Sequence, residues 1–494
     1  MTSSTSVYQG KEGTVWTLDA GEEELVGRIS QHNILKDIPG PTSFAKRNIT
    51  ESDNISALNL FIDSYIIDHI VKCTEIEARL KLNCQDWKTS REEIYQLIAI
   101  MYARGLLAKG HPVDQIWSKT WGIKFFSDTM SRNRYKQLLR FIRFDIRSTR
   151  SERLATDKFA LFSTIWNRFI ENCKSNYVPN ANITIDEQLF PTKARCPFTQ
   201  YMANKPDKFG VKFWLAVDAS SKYLLNGFPY LGKDARRPSN QPISEYIVLQ
   251  LMDPYLGKGR NVTTDNFFTS VKLAEKLEKK KTSIVGTMNR IRREIPQEIK
   301  TMKAPLHSTK ILRNNNMTLT VYQGKTNKNV LLLSTVHRTV KISEEGKKLP
   351  ESVKYYNETK YGVDVIDQMA RIYSTKVSSR RWPLQMFYNV LDLAGINAYV
   401  VYKEVTGKKI SRREFLLKLI QELQMKNSNE GAEETNDDTN AAETPSLKTK
   451  RQWCKINCTR QNRKLTNKKC ATCKLFVCSS CIGIIRTEVI CKKC

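Results

Sequence analysis

Between about Leu58 and Asp145 apolar residues recur at intervals of three and four. Leu60, Phe61, Tyr65, Ile66, Ile67 and Ile70 make one such series, and Ile94, Leu97, Ile98, Ile100 and Met101 another. That spacing gathers them on one face of a helix. Ser131 stands as an N-cap before a segment to Arg143 in which basic and apolar positions share one helix. At Asn182 the period drops to two. Ile183-Thr-Ile-Asp186, Val211 to Asp218 and Tyr223 to Phe228 read as strands, with a Ser-Ser-Lys turn before the last. A helix over about Ile243 to Leu256, a strand over Asn261 to Phe268, a lysine-rich helix over Ser270 to Lys281 and a strand over Ser283 to Thr287 follow. Strands and helices in this order form an α/β layer. From about Asn289 to Pro350 basic turns (Arg290, Arg292, Arg293) and hairpin-like strands (Met317 to Gln323, Val330 to Thr335) interrupt that order as an insertion. Helical patterns return at Asp364. They return again after Pro383, at the first turn of a long helix that Gly407 ends, and over Ser411 to Met425.

The two ends lack such patterns. Residues 1–30 are polar and acidic, which predicts a mobile arm. Asn427 to Ser446 is rich in Glu, Asp, Asn, Thr and Ala without apolar spacing, which predicts a disordered linker.

Charge narrows the partners. The chain of 494 residues has 80 Lys and Arg against 50 Asp and Glu, a net charge of +30. A field of that sign favours a polyanion, above all nucleic acid. No apolar run is long enough to span a membrane, and the N-terminus lacks the apolar core of a signal peptide. An intracellular protein is expected.

Against that positive background four acids stand out. Asp364 and Asp367 are three apart on a helix whose Val363, Ile366 and Ala370 would bury against a sheet. Asn357-Glu-Thr359 and Gly362 suit a loop and cap before it. Asp186 and Asp265 each close a strand. The order of elements matches an RNase H-like core, where two such strand ends and this helix start lie side by side. Carboxylates there can hold two divalent ions about 3.5–4 Å apart for phosphodiester transfer. Only hard oxygen donors are on offer, which favours Mg²⁺, with Mn²⁺ as a substitute. Each acid singly has an ordinary reading, a strand-end turn or a first-turn charge on the helix dipole. Their joint placement carries the metal reading. Asp218 also ends a strand, but Ala219-Ser-Ser-Lys beside it looks like a hairpin turn, which ranks it lower.

The last 41 residues hold eight of the twelve cysteines, in four close pairs: Cys454 with Cys458, Cys470 with Cys473, Cys478 with Cys481, and Cys491 with Cys494. In a reducing compartment this predicts two tetrahedral Zn²⁺ sites rather than disulfides. From Lys450 onward there are 12 Lys and Arg against one acid. That balance suits DNA, although ubiquitin-ligase and chromatin-reading domains pair cysteines in the same way.

These motifs carry a resemblance. Thr184-Ile-Asp186-Glu-Gln-Leu, Thr264-Asp265-Asn-Phe-Phe-Thr-Ser, Gly362-Val-Asp364-Val-Ile-Asp367-Gln-Met and Arg381-Trp382-Pro383 together are similar to the piggyBac transposase family. So are Phe209-Gly-Val-Lys, Asn226 to Gly232 and Ile34 to Pro41. The resemblance covers roughly residues 30–425 and the cysteine tail in outline. It implies a DD(E/D)-type cut-and-paste enzyme with Asp186, Asp265 and Asp364 as the metal-binding triad and Asp367 as an additional required acid. It further implies hairpinned transposon ends, TTAA targets, excision without DNA synthesis, and a cross-braced zinc tail. In that tail Cys481 stands where members can carry His. Trp382 matches a tryptophan beside the active site, and Lys376, Arg380 and Arg381 join it as candidate DNA contacts. Trp382 could stack on an unpaired base, or pack as a staple before the Pro383 helix.

The expected architecture is therefore an RNase H-like α/β core (181–288 and 351–374) interrupted by a β-rich insertion (289–350). A split all-α dimerisation and DNA-binding domain (31–180 and 375–425) flanks it. The arm (1–30), linker (426–449) and zinc domain (450–494) complete the chain. The expected protein is a nuclear, homodimeric, Mg²⁺-dependent DNA transposase acting on double-stranded terminal inverted repeats. The alternative is a domesticated descendant that binds DNA and cuts nothing.

Overall fold

The structure, a computed structural model, describes residues 6–19, 34–203, 205–233 and 237–425. Beyond those it describes 452–453, 465–466, 475–476, 478, 481–485 and 489–491. The chain divides into two compact units, residues 1–430 and 431–494.

The first unit is mixed α/β around an 11-stranded sheet. At its centre the strand Asn182–Pro191 lies parallel to Asn261–Thr264, which lies parallel to Ser283–Thr287. On the other side of Asn182–Pro191 the strand Phe209–Asp218 runs antiparallel along its whole length, and Leu224–Pro229 pairs with Phe209–Asp218 in turn. The parallel strands are almost wholly buried (Val262, Thr263, Ile284 and Val285 all closed to solvent), as expected where both faces are covered. The amphipathic helix Val271–Lys279, capped by Ser270, whose hydroxyl oxygen accepts from the Leu273 N–H, crosses between the last two parallel strands.

The strands Thr309–Asn314, Met317–Lys325 and Lys328–Ser334, which fall in the expected insertion, continue the same sheet, since Lys328–Ser334 pairs with Ser283–Thr287. One expectation needs correction: the N-terminus is not all mobile arm. Val7–Gln9 and Val15–Leu18 form a hairpin whose second strand pairs with Thr309–Asn314. Trp16 anchors it, fully buried, its indole N–H donating to the Glu294 carbonyl at 2.9 Å. A single aromatic burying on the order of 200 Å² outweighs the polar sequence around it.

Helices from both ends of the unit pack together on one side. Ser64–Leu82, Arg91–Leu107 and Ser163–Asn176 come from the front, and Trp382–Thr406 and Arg412–Met425 from the back. Polar atoms stitch the halves: Asn54 Nδ2 donates to Phe415 O (3.0 Å), the Ile55 N–H to Glu422 Oε2 (3.0 Å), and the Tyr102 hydroxyl to Leu391 O (2.6 Å). Trp382–Thr406 is buried nearly all round, and Gly407 closes it in the left-handed conformation at φ +67°.

Among the described residues no helix is long and apolar enough to cross a membrane. In the second unit only short strand pairs are described, Gln452–Trp453 with Leu465–Thr466 and Ile482–Ile485 with Val489–Cys491. Cys478 and Cys481 are buried, the Cys481 N–H donating to the Cys478 carbonyl at 2.9 Å. The side chains of the other six candidate zinc ligands, Cys454, Cys458, Cys470, Cys473, Cys491 and Cys494, lie outside the described residues, as does the whole of the expected linker.

Candidate active site

Asp186 does not end its strand, which continues to Pro191. What ends there is the parallel ladder: its last register pair is Ile185 with Thr264. Asp186 and Asp265 are the next residues on the two neighbouring strands, one step past the ladder.

The third carboxylate reaches this place through threonines. Side chains two apart on a strand share a face, and each acid is preceded at that spacing by a buried threonine, Thr184 and Thr263. Both hold Thr359. The Thr184 hydroxyl donates to the Thr359 carbonyl (2.6 Å), and the Thr263 hydroxyl to the Thr359 hydroxyl (2.9 Å). Thr359 ends a helix, Glu351–Thr359, in a stretch where the sequence suggested a loop. Helix Gly362–Ile372 follows at once with Asp364 in its first turn. Gly362 has no room for more than hydrogen, since a Cβ there would stand 2.5 Å from Thr184 Oγ1. The close approach of helix to strand sets Asp364 over the two strand acids.

Asp186, Asp265 and Asp364 thus line one cavity of about 140 Å³, together with Tyr356, Lys360, Tyr361 and the strand residues beside them. Asp364 is exposed at its rim and the other two are half-buried. Burial, then Glu187, Asp265 and Asp364 nearby, push the Asp186 carboxyl up to about 7. Burial likewise raises Asp265, with Glu187 adding to it. The ammonium of Lys360 is directed elsewhere, to Asn357 Oδ1 (2.8 Å) and over the Tyr356 and Tyr361 rings.

The donor set is all oxygen, with no thiol or imidazole on the cavity wall. That chemistry fits Mg²⁺ or Mn²⁺. Among the described residues no group of three or more His, Cys, Asp or Glu side chains is drawn together closely enough to hold a metal ion as it stands. An open cavity of this size suits ions that keep part of their water.

Asp367 is set apart from the other three. It lies one turn on, outside the cavity lining. Its Oδ1 accepts from Gln188 Nε2 (3.2 Å) and its Oδ2 from Arg371 Nε (3.1 Å), while Gln188 Oε1 accepts from Asn389 Nδ2 (3.0 Å). It ties the Asp364 helix to the central strand and to the long buried helix behind. Asp218 is a turn residue, as its neighbours suggested. Fully buried opposite Ile183, it accepts backbone N–H bonds from Asn180, Ser220 and Ser221.

The expected DNA contacts divide. Trp382 is 8% exposed, stacked on Phe159 (ring centroids 5.4 Å, 27°) and edge-on to Phe198. Arg381 faces inward, against expectation. Its guanidinium donates to the carbonyls of Leu139, Arg140 and Ile142 at the end of helix Arg132–Phe141, sharing the last two with Arg143. Lys376 and Arg380 are exposed. Most of the basic residues on Arg132–Phe141 and just past it are also committed: Arg134 to Glu93, Arg132 and Lys136 to Asp114, Arg143 to Glu77. The Thr-x-Asp pattern, written twice at strand period, was the legible signal for Thr184 and Thr263. Nothing local marks Tyr356, Thr359 or Gln188 as their neighbours.

Residues 53–399 match a family model described as Transposase IS4. Over 392 residues the chain is 23% identical to the human PiggyBac transposable element-derived protein 3, covering 74% of this chain and 63% of that protein. It is also 23% identical over 295 residues to the human PiggyBac transposable element-derived protein 2, covering 56% and 49%. The matched region thus spans less than two thirds of these curated relatives. A cryo-EM structure of a piggyBac transposase synaptic complex with hairpin DNA superposes with a TM-score of 0.75 at 32% identity, covering 93% of this chain and all of that one. The family match over most of the first unit and the shared fold lead to one conclusion: this chain belongs to the piggyBac-type transposases.

Proposed function

We propose that this protein is an active cut-and-paste DNA transposase, cleaving and rejoining strands at TTAA sites through hairpinned ends. The observation that carries the reading is that Asp186, Asp265 and Asp364 line one cavity whose wall has no thiol or imidazole. On this reading the central strands and helix Gly362–Ile372 are an RNase H-like core. Asp186, Asp265 and Asp364 would hold two Mg²⁺ ions, which would activate the attacking oxygen and stabilise the leaving one. Thr184, Thr263 and Thr359 keep the three acids in register. Asp367, through Gln188 and Arg371, fixes the pitch of the helix that carries Asp364. The net charge of +30 supplies phosphate affinity in the nucleus. The helices gathered from both ends of the first unit would form the dimerisation and DNA-binding domain. Four cysteine pairs in the second unit would close on two Zn²⁺ ions and read the terminal repeats.

A second reading follows from the relatives' names, which describe proteins derived from a transposable element: DNA binding without cleavage. Incubating the full chain with Mg²⁺ and duplexes carrying candidate ends beside TTAA separates the two. Nicks and hairpins that vanish in Asp265→Asn support the enzyme. DNA bound but left intact under the same conditions supports the binder and overturns the first reading.

A further inference from the structure

The segment after Asp265 holds two phenylalanines with opposite fates. Phe268 is fully buried, whereas Phe267 is 41% exposed. An exposed aromatic ring is commonplace, but this one is held on every side but one. Its ring stacks face to face on the buried Trp214, with centroids 5.7 Å apart and planes 7° from parallel, and stands edge-on to Phe268 at 5.0 Å. Its backbone is fixed at both polar ends. The Phe267 N–H donates to Asp265 Oδ1 (3.0 Å), and its carbonyl accepts from Arg292 Nη2 (2.9 Å). Beside the stack Lys212 Nζ, paired with Glu187 at 3.4 Å, lies 3.9 Å from the Trp214 ring centroid and 5.9 Å from that of Phe267. Core packing does not require the outer surface of Phe267, since Trp214 and Phe268 already close the layer below it.

We propose that this outer surface is a stacking platform for one unpaired nucleobase of the DNA strand held at the Asp186–Asp265–Asp364 cavity. Three observations converge on that occupant. Phe267 is two residues from a cavity carboxylate and its backbone N–H is hydrogen-bonded to it, so a nucleotide beside the reacting phosphate passes within reach. The cation of Arg292, whose Nη2 holds the Phe267 carbonyl, suits a phosphate that flanks a base. The ring is rigid before anything binds, so stacking costs little side-chain entropy. A flat aromatic takes any base by its π-face, and stacking of this kind changes affinity by about 5-fold or more per base. The site would therefore hold the strand in position without reading its sequence. Phe267 is a positioning residue, and the acids do the chemistry.

The proposal rests on the transposase reading, and the experiment separates the two. The full chain is mixed with Ca²⁺, to allow binding without turnover, and a duplex ending in a single-stranded TTAA overhang. Each overhang adenine in turn is replaced by 2-aminopurine, whose fluorescence falls when it stacks on an aromatic ring. In a second set each thymine is replaced by 5-iodouracil for photo-crosslinking. For at least one position the wild type is expected to quench roughly 3-fold more than Phe267→Leu, with Phe267→Trp restoring the quench, and the cross-linked peptide is expected to contain Phe267. Equal fluorescence in the wild type and Phe267→Leu at every position, with cross-links mapping elsewhere, overturns the platform even if Mg²⁺ later supports cleavage. A Phe267-dependent signal without cleavage in Mg²⁺ leaves the platform standing and sinks only the enzyme reading. No binding to the duplex overturns both. Should Phe267→Leu fold poorly, the comparison of Phe267→Trp with the wild type and the cross-link map decide.

Discussion

Thr359→Val tests how the three acids are brought together. The side chain is nearly isosteric, so the perturbation is chemical. Thr359 is the middle of a buried relay in which Asn261 Nδ2 donates to Thr263 Oγ1 (3.2 Å), Thr263 donates to Thr359 Oγ1 (2.9 Å), and Thr359 donates to the Tyr355 carbonyl (2.9 Å). Valine removes the acceptor for Thr263, which has no exposed surface from which to reach water. An unsatisfied buried hydroxyl costs about 1–3 kcal/mol, and the lost bond to Tyr355 adds a few tenths to about 1. The expected loss is ~2 kcal/mol, against a total of about 5–15 kcal/mol for a folded domain, so the variant folds. Thr263→Val should cost a similar amount. The double variant should cost less than the two singles together, by about 1 kcal/mol, because no hydroxyl is then left stranded opposite the other. Urea unfolding of the four proteins measures this coupling. Because Thr359 sets the start of the Asp364 helix, the Mg²⁺ concentration giving half-maximal strand cleavage should also rise in Thr359→Val, while DNA affinity holds. Strict additivity within about 0.3 kcal/mol, or an unmoved Mg²⁺ requirement, would refute the argument that this relay aligns the site.

Two further outcomes follow from the same geometry. Burial raises the Asp392 carboxyl to about 7, although it accepts from Ser374 Oγ (2.6 Å) and the Thr375 N–H (2.7 Å). A folded-state value above the unfolded value near 4 gives stability that is full below about pH 4 and lost as pH rises to about 7, at up to ~1.4 kcal/mol per unit. Asp392→Asn should therefore gain more in urea midpoint over the wild type at pH 8 than at pH 5, and an equal gap at both would contradict the linkage. Arg381→Ala should lower the unfolding midpoint by on the order of 2 kcal/mol, because it leaves the Leu139 carbonyl without this donor and removes bonds to the Arg140 and Ile142 carbonyls that only Arg143 then caps, yet leave the salt dependence of DNA binding unchanged. Arg380→Ala should do the reverse, with the slope of log affinity against log salt falling by about one. A change of slope in Arg381→Ala and none in Arg380→Ala would show that the roles are exchanged.

What could be read along the chain was what neighbours within a few residues decide. Ser131 and Ser270 cap helices because their hydroxyl oxygens meet N–H groups three residues on. Gly407 stops the long helix because it takes positive φ cheaply. The change from helical period to strand period at Asn182 marks the core, and the motif acids were legible as a set through their likeness to a family. Segments whose fate depends on distant partners were not legible. Residues 7–18 look like a polar arm until Trp16 finds its pocket beside Glu294. The strands after Thr309 read as an insertion, and their continuing the core sheet is a long-range choice, made when Lys328–Ser334 meets Ser283–Thr287. Arg381 and Trp382 sit next to each other at a helix start, and local sequence is compatible with both facing DNA. Only the packed fold offers Arg381 the carbonyls at the end of helix Arg132–Phe141 and Trp382 an aromatic slot against Phe159. Local pattern selects the elements because caps and periodicity act over one or two turns. Which acid joins the cavity and which, like Asp367, braces it depends on contacts between residues up to some 180 positions apart, and only burial of the assembled core makes those contacts favourable.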